Sequence, residues 1–405
     1  MADGSLAYVP LTLPGELVRA RPLARRGDGW AAALDGVLEP SAARAVPVCP
    51  HFGACGGCVA QHMSDAAYLG WKLAAIVGAL RRAGFPDPPL SPPVRTAPAS
   101  RRRMDLAIRR AGREWRVGLH RLRSREIVNL DACAVLHPAL VSLVAPLRDL
   151  GLACVRREGS AIVNLLDNGP DLLLRSDAPL TLADRMALTD FARAHRLSRI
   201  SWALRDATPE PVCILARPAI TLSGVVVAPP PGAFLQASGA AETAIISSVL
   251  EGLPETMPTA AHITELYAGC GTLTFALAQR APVRAWEGDP SALAALTAAA
   301  HQARLVGRIT ARPRDLARQP LSAAELARSA AVVLDPPHTG APAQMAAVAA
   351  ARVPCIVYVS CNPSALSRDA RPLATSGYRA ARVTLIDQFL WSARIESVSV
   401  FLAGG

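Results

Sequence analysis

Four short segments of strand character in the C-terminal part of the chain each stop abruptly, and the last two of them are continuous apolar runs. They end near Tyr267, Glu287, Asp335 and Cys361. Stretches with helical periodicity separate them, and unbroken apolar runs of about four to eight residues are typical of strands buried on both faces. The pattern predicts a parallel, doubly wound α/β domain over residues 231–405, with its chemistry at the carboxyl ends of the strands.

The N-terminal segment, residues 1–42, shows short strand patterns instead. Glycine, proline and aspartate separate three of them, at Leu6–Val9, Glu16–Ala20 and Ala31–Leu38. Such alternation is typical of half-buried strands. Three short strands are too few for an independent barrel, so we expect an incomplete β segment here.

Residues 43–230 mix both patterns. A helix is predicted from about Ser64 to Ala83, with Ser64 as its N-cap, and a proline-rich connector follows at residues 86–98. Beyond the connector, strand and helix patterns alternate without the regular spacing of β-α units. We therefore assign residues 43–230 to a central α+β domain, which makes three domains in all.

Composition narrows the class of protein. The chain has 405 residues and is 51% hydrophobic, enough for large cores. It has no apolar run of the roughly 18 residues that a membrane span requires. Its start has neither the basic nor the apolar region of a signal peptide, so we expect a cytoplasmic monomer with no membrane partner. Nine cysteines in that compartment argue against disulfides, but not against a metal site or a catalytic thiol.

Arginines cluster in the central domain. The net charge is +11, with 43 basic and 32 acidic side chains, and Lys72 is the only lysine. The stretch Arg95–Arg125 holds eleven arginines against Asp105 and Glu114. This density favours a polyanionic partner such as RNA, and a solvated strand face is the alternative. The candidate phosphate contacts are Arg101, Arg102 and Arg103.

Three cysteines lie close together in the pattern Cys49-x5-Cys55-x2-Cys58, with glycines that let the backbone fold tightly round a metal centre. Cys133 is the best candidate for a fourth ligand. Four thiolates suit a [4Fe–4S] cluster or a structural zinc, and the spacing alone does not separate them. Unligated cysteines are the remaining alternative. The other cysteines outside the C-terminal strand end are expected to be free: Cys154, Cys213, Cys270 and Cys355.

A nucleotide-type cofactor site is predicted at the first C-terminal strand end. Gly269 and Gly271 enclose a single residue in a tight turn, which lets the backbone approach a ligand closely. Glu287 ends the next strand and is placed to bind ribose hydroxyls, while Asp335 precedes two prolines at a later strand end. The third glycine of the dinucleotide motif is missing, which disfavours NAD and favours S-adenosylmethionine.

Two motifs resemble a known family, the RNA (uracil-5-)-methyltransferases, and in particular its iron–sulfur enzymes for 23S ribosomal RNA. They are Cys-Pro-His-Phe-Gly-x-Cys-Gly-Gly-Cys from Cys49 and Ile-Val-Tyr-Val-Ser-Cys-Asn-Pro from Ile356. The likeness extends over nearly the whole chain. It implies a Rossmann-like catalytic domain that uses S-adenosylmethionine, and it makes residues 1–42 the counterpart of the family's oligonucleotide-binding TRAM barrel.

The resemblance also implies a role for each candidate residue. Cys361 would add to C6 of uracil, and Glu396 would later remove the proton from C5. A [4Fe–4S] cluster would be held by Cys49, Cys55, Cys58 and Cys133. The S-adenosylmethionine site would be lined by Gln236, Tyr267, Thr272, Glu287 and Asp335.

The sequence departs from the family pattern in three places. Residues 1–42 lack the first strand or strands of the TRAM barrel. Thr272 stands where the family usually has asparagine, and Arg394 stands where it has histidine, two residues before Glu396. We expect the permanent cation at position 394 to hold Glu396 ionised or to pair with RNA phosphate.

These observations predict an enzyme that transfers a methyl group from S-adenosylmethionine to C5 of one uridine in RNA, namely 23S ribosomal RNA. The same chemistry on transfer RNA is the first alternative. A non-catalytic iron–sulfur or zinc RNA-binding protein is the second, but it would lack Cys361 or Glu396, and both are present.

Overall fold

Three β-sheets and one hairpin organise the residues that the computed structural model describes, 4–258 and 260–404. The first sheet is small and has the strand order β1-β3-β2. Its strands are β1 (Leu6–Tyr8), β2 (Leu17–Arg26) and β3 (Gly29–Glu39). The three predicted strands are confirmed, although β2 is longer than predicted; residues 1–3 of the predicted segment lie outside the described residues.

The next elements are helix α1 (Asp65–Ala83) and the short strand β4 (Val94–Arg95). The predicted helix start is confirmed, since Ser64 is the N-cap and its hydroxyl accepts a hydrogen bond from the Ala67 N–H at 3.4 Å. Gly84 ends the helix in the left-handed conformation, with φ of 108°. A glycine there terminates the helix without the strain of a Cβ.

The central sheet has seven strands in the order β11-β10-β9-β8-β5-β6-β7. Neighbours are antiparallel except for β9 and β10. Leucines of the sheet and of its helices, among them Leu106, Leu172 and Leu188, form one buried core. The elements are β5 (Arg103–Ala111), β6 (Glu114–His120), β7 (Ile127–Asn129), α2 (Pro138–Val141), α3 (Val144–Asp149), β8 (Glu158–Leu166), β9 (Gly169–Ser176), α4 (Leu182–Ala194), β10 (Arg199–Leu204) and β11 (Glu210–Ile214).

A hairpin and a regular β-α region follow, and the predicted doubly wound domain is confirmed. Strands β14 to β18 are parallel, whereas β20 runs antiparallel between β18 and β19. The elements are β12 (Ile220–Leu222), β13 (Val225–Val227), α5 (Gly239–Gly252), β14 (His262–Leu266), α6 (Thr274–Arg280), β15 (Val283–Glu287), α7 (Pro290–Gln302), β16 (Ile309–Pro313), α8 (Ala323–Leu326), β17 (Ser329–Leu334), α9 (Pro342–Ala350), β18 (Cys355–Ser360), α10 (Pro363–Thr375), β19 (Arg379–Asp387) and β20 (Glu396–Leu402).

The C-terminal sheet has eight strands in the order β16-β15-β14-β17-β18-β20-β19-β4. Its inner strands β17 and β18 are buried at every residue, because hydrophobic clusters cover both faces of the sheet. This explains the unbroken apolar runs of the sequence. No helix in the described ranges is long and apolar enough to cross a membrane.

The predicted boundary between the central and catalytic domains differs from the structure. Strand β4 pairs with β19 at the edge of the C-terminal sheet, and Ile76 and Leu80 of α1 join the core around Tyr358. Lys72 of α1 also donates to the buried Asp387 carboxylate at 2.6 Å. Part of the segment 43–230 therefore packs on the catalytic sheet.

Candidate active site and cysteine cavity

The strand ends that the sequence singled out lie side by side. Leu266 of β14 pairs with Leu334 of β17, and Leu334 pairs with Tyr358 of β18. The residues that follow these strands, Tyr267, Asp335 and Cys361, therefore meet at one edge of the sheet. The predicted strand ends are confirmed within one residue, because each apolar run stops where burial on both faces stops.

The glycine turn after β14 is held by a carboxylate. The Gly269 N–H donates to Glu287 Oε2 at 2.7 Å, and the other oxygen of Glu287 accepts from the Asp289 N–H at 2.7 Å. A Cβ at Gly271 would lie 2.5 Å from the Phe275 ring, and the φ of Gly271 is 102°. Glycine is therefore required at position 271 by both space and backbone geometry.

A chain of buried amides joins two acids in the same pocket. Gln236 Nε2 donates to Asp335 Oδ2 at 3.1 Å, and Gln388 Nε2 donates to Gln236 Oε1 at 2.9 Å and to Glu396 Oε2 at 2.7 Å. Gln388 is itself fixed, because its Oε1 accepts from the Ala237 N–H at 2.9 Å. We call this the amide chain. Gln388 was not among the predicted site residues, because its position between Asp387 and Phe389 belongs to no recognisable motif.

Burial sets the protonation of these acids. It raises the pKa of Asp335 to about 7, against the hydrogen bond from Gln236. It also raises the pKa of Glu396 to about 8, with a further contribution from Asp335, while Gln388 and Lys72 oppose the rise. The nearby cation acting on Glu396 is thus Lys72 of α1, a residue for which the sequence suggested no role in the pocket.

A third acid, Glu265, was also missed. It lies one residue before the end of β14, is 1% exposed, and neither of its oxygens has a hydrogen-bond partner within the described residues. Burial raises its pKa to about 8, and the charges of Glu287 and Asp335 add to the rise. An acidic residue one position before a predicted strand end was the available signal, since such a group is rarely buried without a partner.

Cys361 follows β18 immediately and stands beside Glu396. Ser360 pairs with Ser397 across β18 and β20, which puts the thiol and the carboxylate on neighbouring strands. Asn362 caps α10 by accepting from the Ser364 N–H at 3.0 Å, so the turn after the thiol is fixed. Burial raises the pKa of Cys361 to about 11, with contributions from Glu396 and Asp335, and Arg394 lowers it.

The four cysteines of the sequence motif line one cavity of about 420 Å³. The Cys55 sulfur accepts from the Gly57 N–H and the Cys133 sulfur from the Leu136 N–H, each at 3.4 Å. Burial raises the pKa of Cys58 to about 12, and the other three thiols add to the rise. Within residues 4–258 and 260–404, no three His, Cys, Asp or Glu side chains converge closely enough to hold a single metal ion.

The three arginines predicted to contact RNA are placed differently from one another. Arg102 donates to Glu242 at 2.6 Å and to the Gln236 carbonyl at 3.1 Å, which favours a structural role. Arg101 and Arg103 line the cysteine cavity, where burial lowers the pKa of both side chains. Their contact with RNA stays a prediction.

Comparison with known proteins gives a consistent result. A family model described as tRNA (Uracil-5-)-methyltransferase matches residues 228–404. An uncharacterised RNA methyltransferase of Caulobacter vibrioides is 38% identical over 416 residues, which cover 99% of this chain and 95% of its own. The 23S rRNA (uracil(1939)-C(5))-methyltransferase RlmD of Aeromonas salmonicida is 34% identical over 412 residues, covering 98% of this chain and 92% of its own.

The fold has a counterpart of known structure. The Pyrococcus abyssi tRNA (uracil-54, C5)-methyltransferase in complex with S-adenosyl-L-homocysteine matches with a TM-score of 0.73 at 18% identity, over 98% of this chain and 95% of its own. At that identity the match shows the fold alone. Because relatives at 34–38% identity match over nearly their full lengths, the chain belongs to the RNA (uracil-5-)-methyltransferase family and is an S-adenosylmethionine-dependent methyltransferase.

Proposed function

We propose that the protein methylates C5 of a uridine in RNA, with Cys361 as the nucleophile and Glu396 as the base. The observation that carries this proposal is the adjacency of the thiol after β18 and the buried carboxylate at the start of β20. The charges of Glu396 and Asp335 both raise the pKa of the Cys361 thiol, so the three groups lie near one another.

The chemistry needs a nucleophile and a base because C5 of uracil is a weak nucleophile. Addition of the Cys361 thiolate to C6 forms a carbon–sulfur bond and moves electrons onto the ring, which makes C5 nucleophilic. S-adenosylmethionine, when bound, supplies the methyl group. Glu396 then accepts the C5 proton, and the C6–S bond breaks to return the sulfur. The target base must leave any stack to reach this pocket.

The residues present fit S-adenosylmethionine. That molecule carries a sulfonium and an ammonium against one carboxylate, so its net charge is positive. Glu265, Glu287 and Asp335 bring three acids to the edge of the sheet, and Glu265 is buried beside the Thr274 side chain. We assign the remaining contacts to Gln236, Tyr267, Gly269, Gly271 and Thr272.

An RNA that carries 5-fluorouridine tests the proposal, because fluorine at C5 blocks the final elimination. The wild-type enzyme should form an adduct with it that survives denaturation, and Cys361→Ala should form none while still binding S-adenosylmethionine. Cys213→Ala is the matched control, since this free cysteine lies in β11 of the central sheet and outside the proposed cofactor turn. An adduct formed by Cys361→Ala would refute the assignment.

We propose 23S ribosomal RNA as the substrate. The support is the 34% identity, over nearly the full length, to an enzyme described as acting on uracil 1939 of 23S rRNA. Mapping 5-methyluridine in a deletion strain tests this directly. Loss of one 5-methyluridine from 23S rRNA is expected, and loss from transfer RNA alone would make transfer RNA the substrate.

We also propose that Cys49, Cys55, Cys58 and Cys133 hold a [4Fe–4S] cluster. Their thiols line one cavity, and four thiolates are the usual ligand set of such a cluster. Backbone N–H groups already donate to two of the sulfurs. Hydrogen bonds of this kind support thiolates bound to iron–sulfur clusters.

A further inference from the structure

The loop after β17 brings a histidine against the thiol of Cys361. His338 Nδ1 lies 3.6 Å from Cys361 Sγ, which is within range of an S–H···N hydrogen bond. Sequence analysis assigned no role to His338, and the proposed reaction so far uses only Cys361 and Glu396.

Three hydrogen bonds hold the loop that carries this histidine. Asn362 Nδ2 donates to the His338 carbonyl at 2.9 Å, and Arg368 Nη2 donates to the Thr339 carbonyl at 2.5 Å. The Gly340 N–H closes a turn onto the Pro337 carbonyl at 2.7 Å. Because Asn362 directly follows the thiol in sequence, one side chain ties the histidine loop to the nucleophile's own turn.

The thiol needs a proton acceptor. When ionised, Glu396 from β20 and Asp335 from the end of β17 disfavour the thiolate, whereas Arg394 favours it. Burial and the two acids raise the pKa of Cys361 to about 11, so the thiol is protonated at neutral pH. The thiolate is the nucleophilic form, so the thiol must lose its proton before or during attack. Glu396 already accepts a hydrogen bond from Gln388, and its proposed role is to take the C5 proton in a later step.

We propose that His338 is a catalytic residue that takes the proton of Cys361 as the sulfur attacks uracil. This inference rests on the proposed role of Cys361. The S–H bond breaks, the proton moves to Nδ1, and the freed electron pair forms the C6–S bond. When that bond breaks after methylation, the imidazolium returns its proton to the leaving sulfur, so protons and electrons balance.

The position of His338 suits this role. The residue is exposed, whereas Glu396 is 4% exposed, so the imidazole can exchange its proton with solvent and the carboxylate is shielded from it. The reaction moves two protons, one from sulfur and one from C5. Two acceptors on opposite flanks of Cys361 keep these transfers separate, with His338 on the β17 loop and Glu396 on β20.

The test compares His338→Asn, His338→Arg and the control His301→Asn, which removes an exposed histidine from α7. The rate of adduct formation with 5-fluorouridine RNA is measured between pH 5.5 and 9 at saturating S-adenosylmethionine. For the wild type and the control, the rate should rise with pH and level off once the proton acceptor is deprotonated. For His338→Asn, it should fall about 10²- to 10⁴-fold at pH 7 and keep rising with pH.

Two outcomes would overturn the inference. Rates and pH profiles of His338→Asn that match the wild type would show that His338 does not take the proton. Full recovery in His338→Arg would show that positive charge suffices, since arginine does not accept a proton at these pH values. A wild-type enzyme that forms no adduct would instead refute the proposed function, and the inference with it. This outcome is distinct from the first two, because in both of those the wild type does form the adduct.

Discussion

The catalytic pocket and the cysteine cavity both bury ionisable groups, but they accommodate the burial differently. In the pocket, the amide chain from Asp335 to Glu396 provides protein donors for the acids. In the cavity, burial raises the pKa of Cys55 and, to about 12, that of Cys58, and the neighbouring thiols add to the rise. The amide chain is held by protein groups, with Glu396 Oε1 the one oxygen of Glu396 that lacks a partner among the described residues, whereas clustered thiolates need an added cation. We therefore expect the pocket to be preformed and the cavity to depend on its cluster.

The two regions also share a segment. The segment from Gln388 to Glu396 begins and ends at residues of the catalytic pocket. Between them, it contributes four residues to the lining of the cysteine cavity: Phe389, Leu390, Ser392 and Arg394. Arg101 further stacks its guanidinium 5.8 Å from the Phe389 ring centre. Disturbance of the cavity should therefore reach the position of the base, and the following changes are arranged from the largest expected effect to the smallest.

Glu396→Gln addresses the pocket at its base. We expect addition and methyl transfer to proceed while removal of the C5 proton stalls, so a covalent, methylated enzyme–RNA complex should accumulate with ordinary uridine RNA. Turnover should fall about 10²- to 10⁴-fold, the usual contribution of a positioned base. The complex is visible as a gel shift that survives denaturation. Release of 5-methyluridine at the wild-type rate, with no trapped complex, would place the base elsewhere.

Cys58→Ser and Cys133→Ser address the cavity. Each should yield protein without the brown colour and without iron and sulfide in about 4:4 ratio, whereas Cys213→Ser, which alters a free cysteine of β11, should keep both. The midpoint of thermal unfolding should fall only in the first two variants, because a structural metal site stabilises the folded state. One tightly bound zinc and no iron in protein purified without oxygen would show that the site is a zinc site.

Gln388→Met breaks the amide chain without touching a reacting group. Glu396 must be ionised to accept a proton, and its pKa of about 8 is held down in part by the donated hydrogen bond from Gln388. Loss of that bond should raise the pKa, so the rise of turnover with pH should move to higher pH. Gln344→Met is the matched control. Gln344 of α9 is also buried, but its side chain accepts a hydrogen bond from the Leu321 N–H and not from a residue of the amide chain. An unmoved profile would show that Gln388 does not tune the base.

Arg102→Gln should lower stability more than RNA binding. It leaves the buried Glu242 without its partner, and breaking a buried ion pair costs about 3–5 kcal/mol. Chemical denaturation measures this loss. Arg101→Gln and Arg103→Gln should instead flatten the salt dependence of RNA binding, by up to about 0.7 in slope for each lost contact to a single strand. Unchanged slopes would show that these arginines serve the cavity alone.

The strand-end residues were predictable because a local rule governs them. A strand buried on both faces must be apolar, and its end is marked where the run stops, as at Cys361. The glycine turn was predictable for the same reason, since position 271 tolerates no Cβ. The family motifs around Cys49 and Cys361 are likewise short and contiguous in sequence.

Other features depend on contacts between distant segments. Helix α1 carries an apolar stripe that fits either domain, and only the assembled sheet shows that it packs near Tyr358. Gln236 and Gln388 lie 152 positions apart in the sequence, yet they share a hydrogen bond. His338 meets Cys361 across two neighbouring loops. No periodicity in one segment reports such pairings.

The sequence by itself determined the β-α pattern of the catalytic domain, the polar residues at its strand ends and the thiol that follows β18. It could do so because burial and turn geometry act on neighbouring residues. Tertiary structure alone decided which groups surround that thiol. The protonation of Cys361 and Glu396 depends on burial and on charges brought in by Asp335, Lys72 and Arg394. Electrostatic interactions act through space at short range, so they follow the folded arrangement and not the order of residues along the chain.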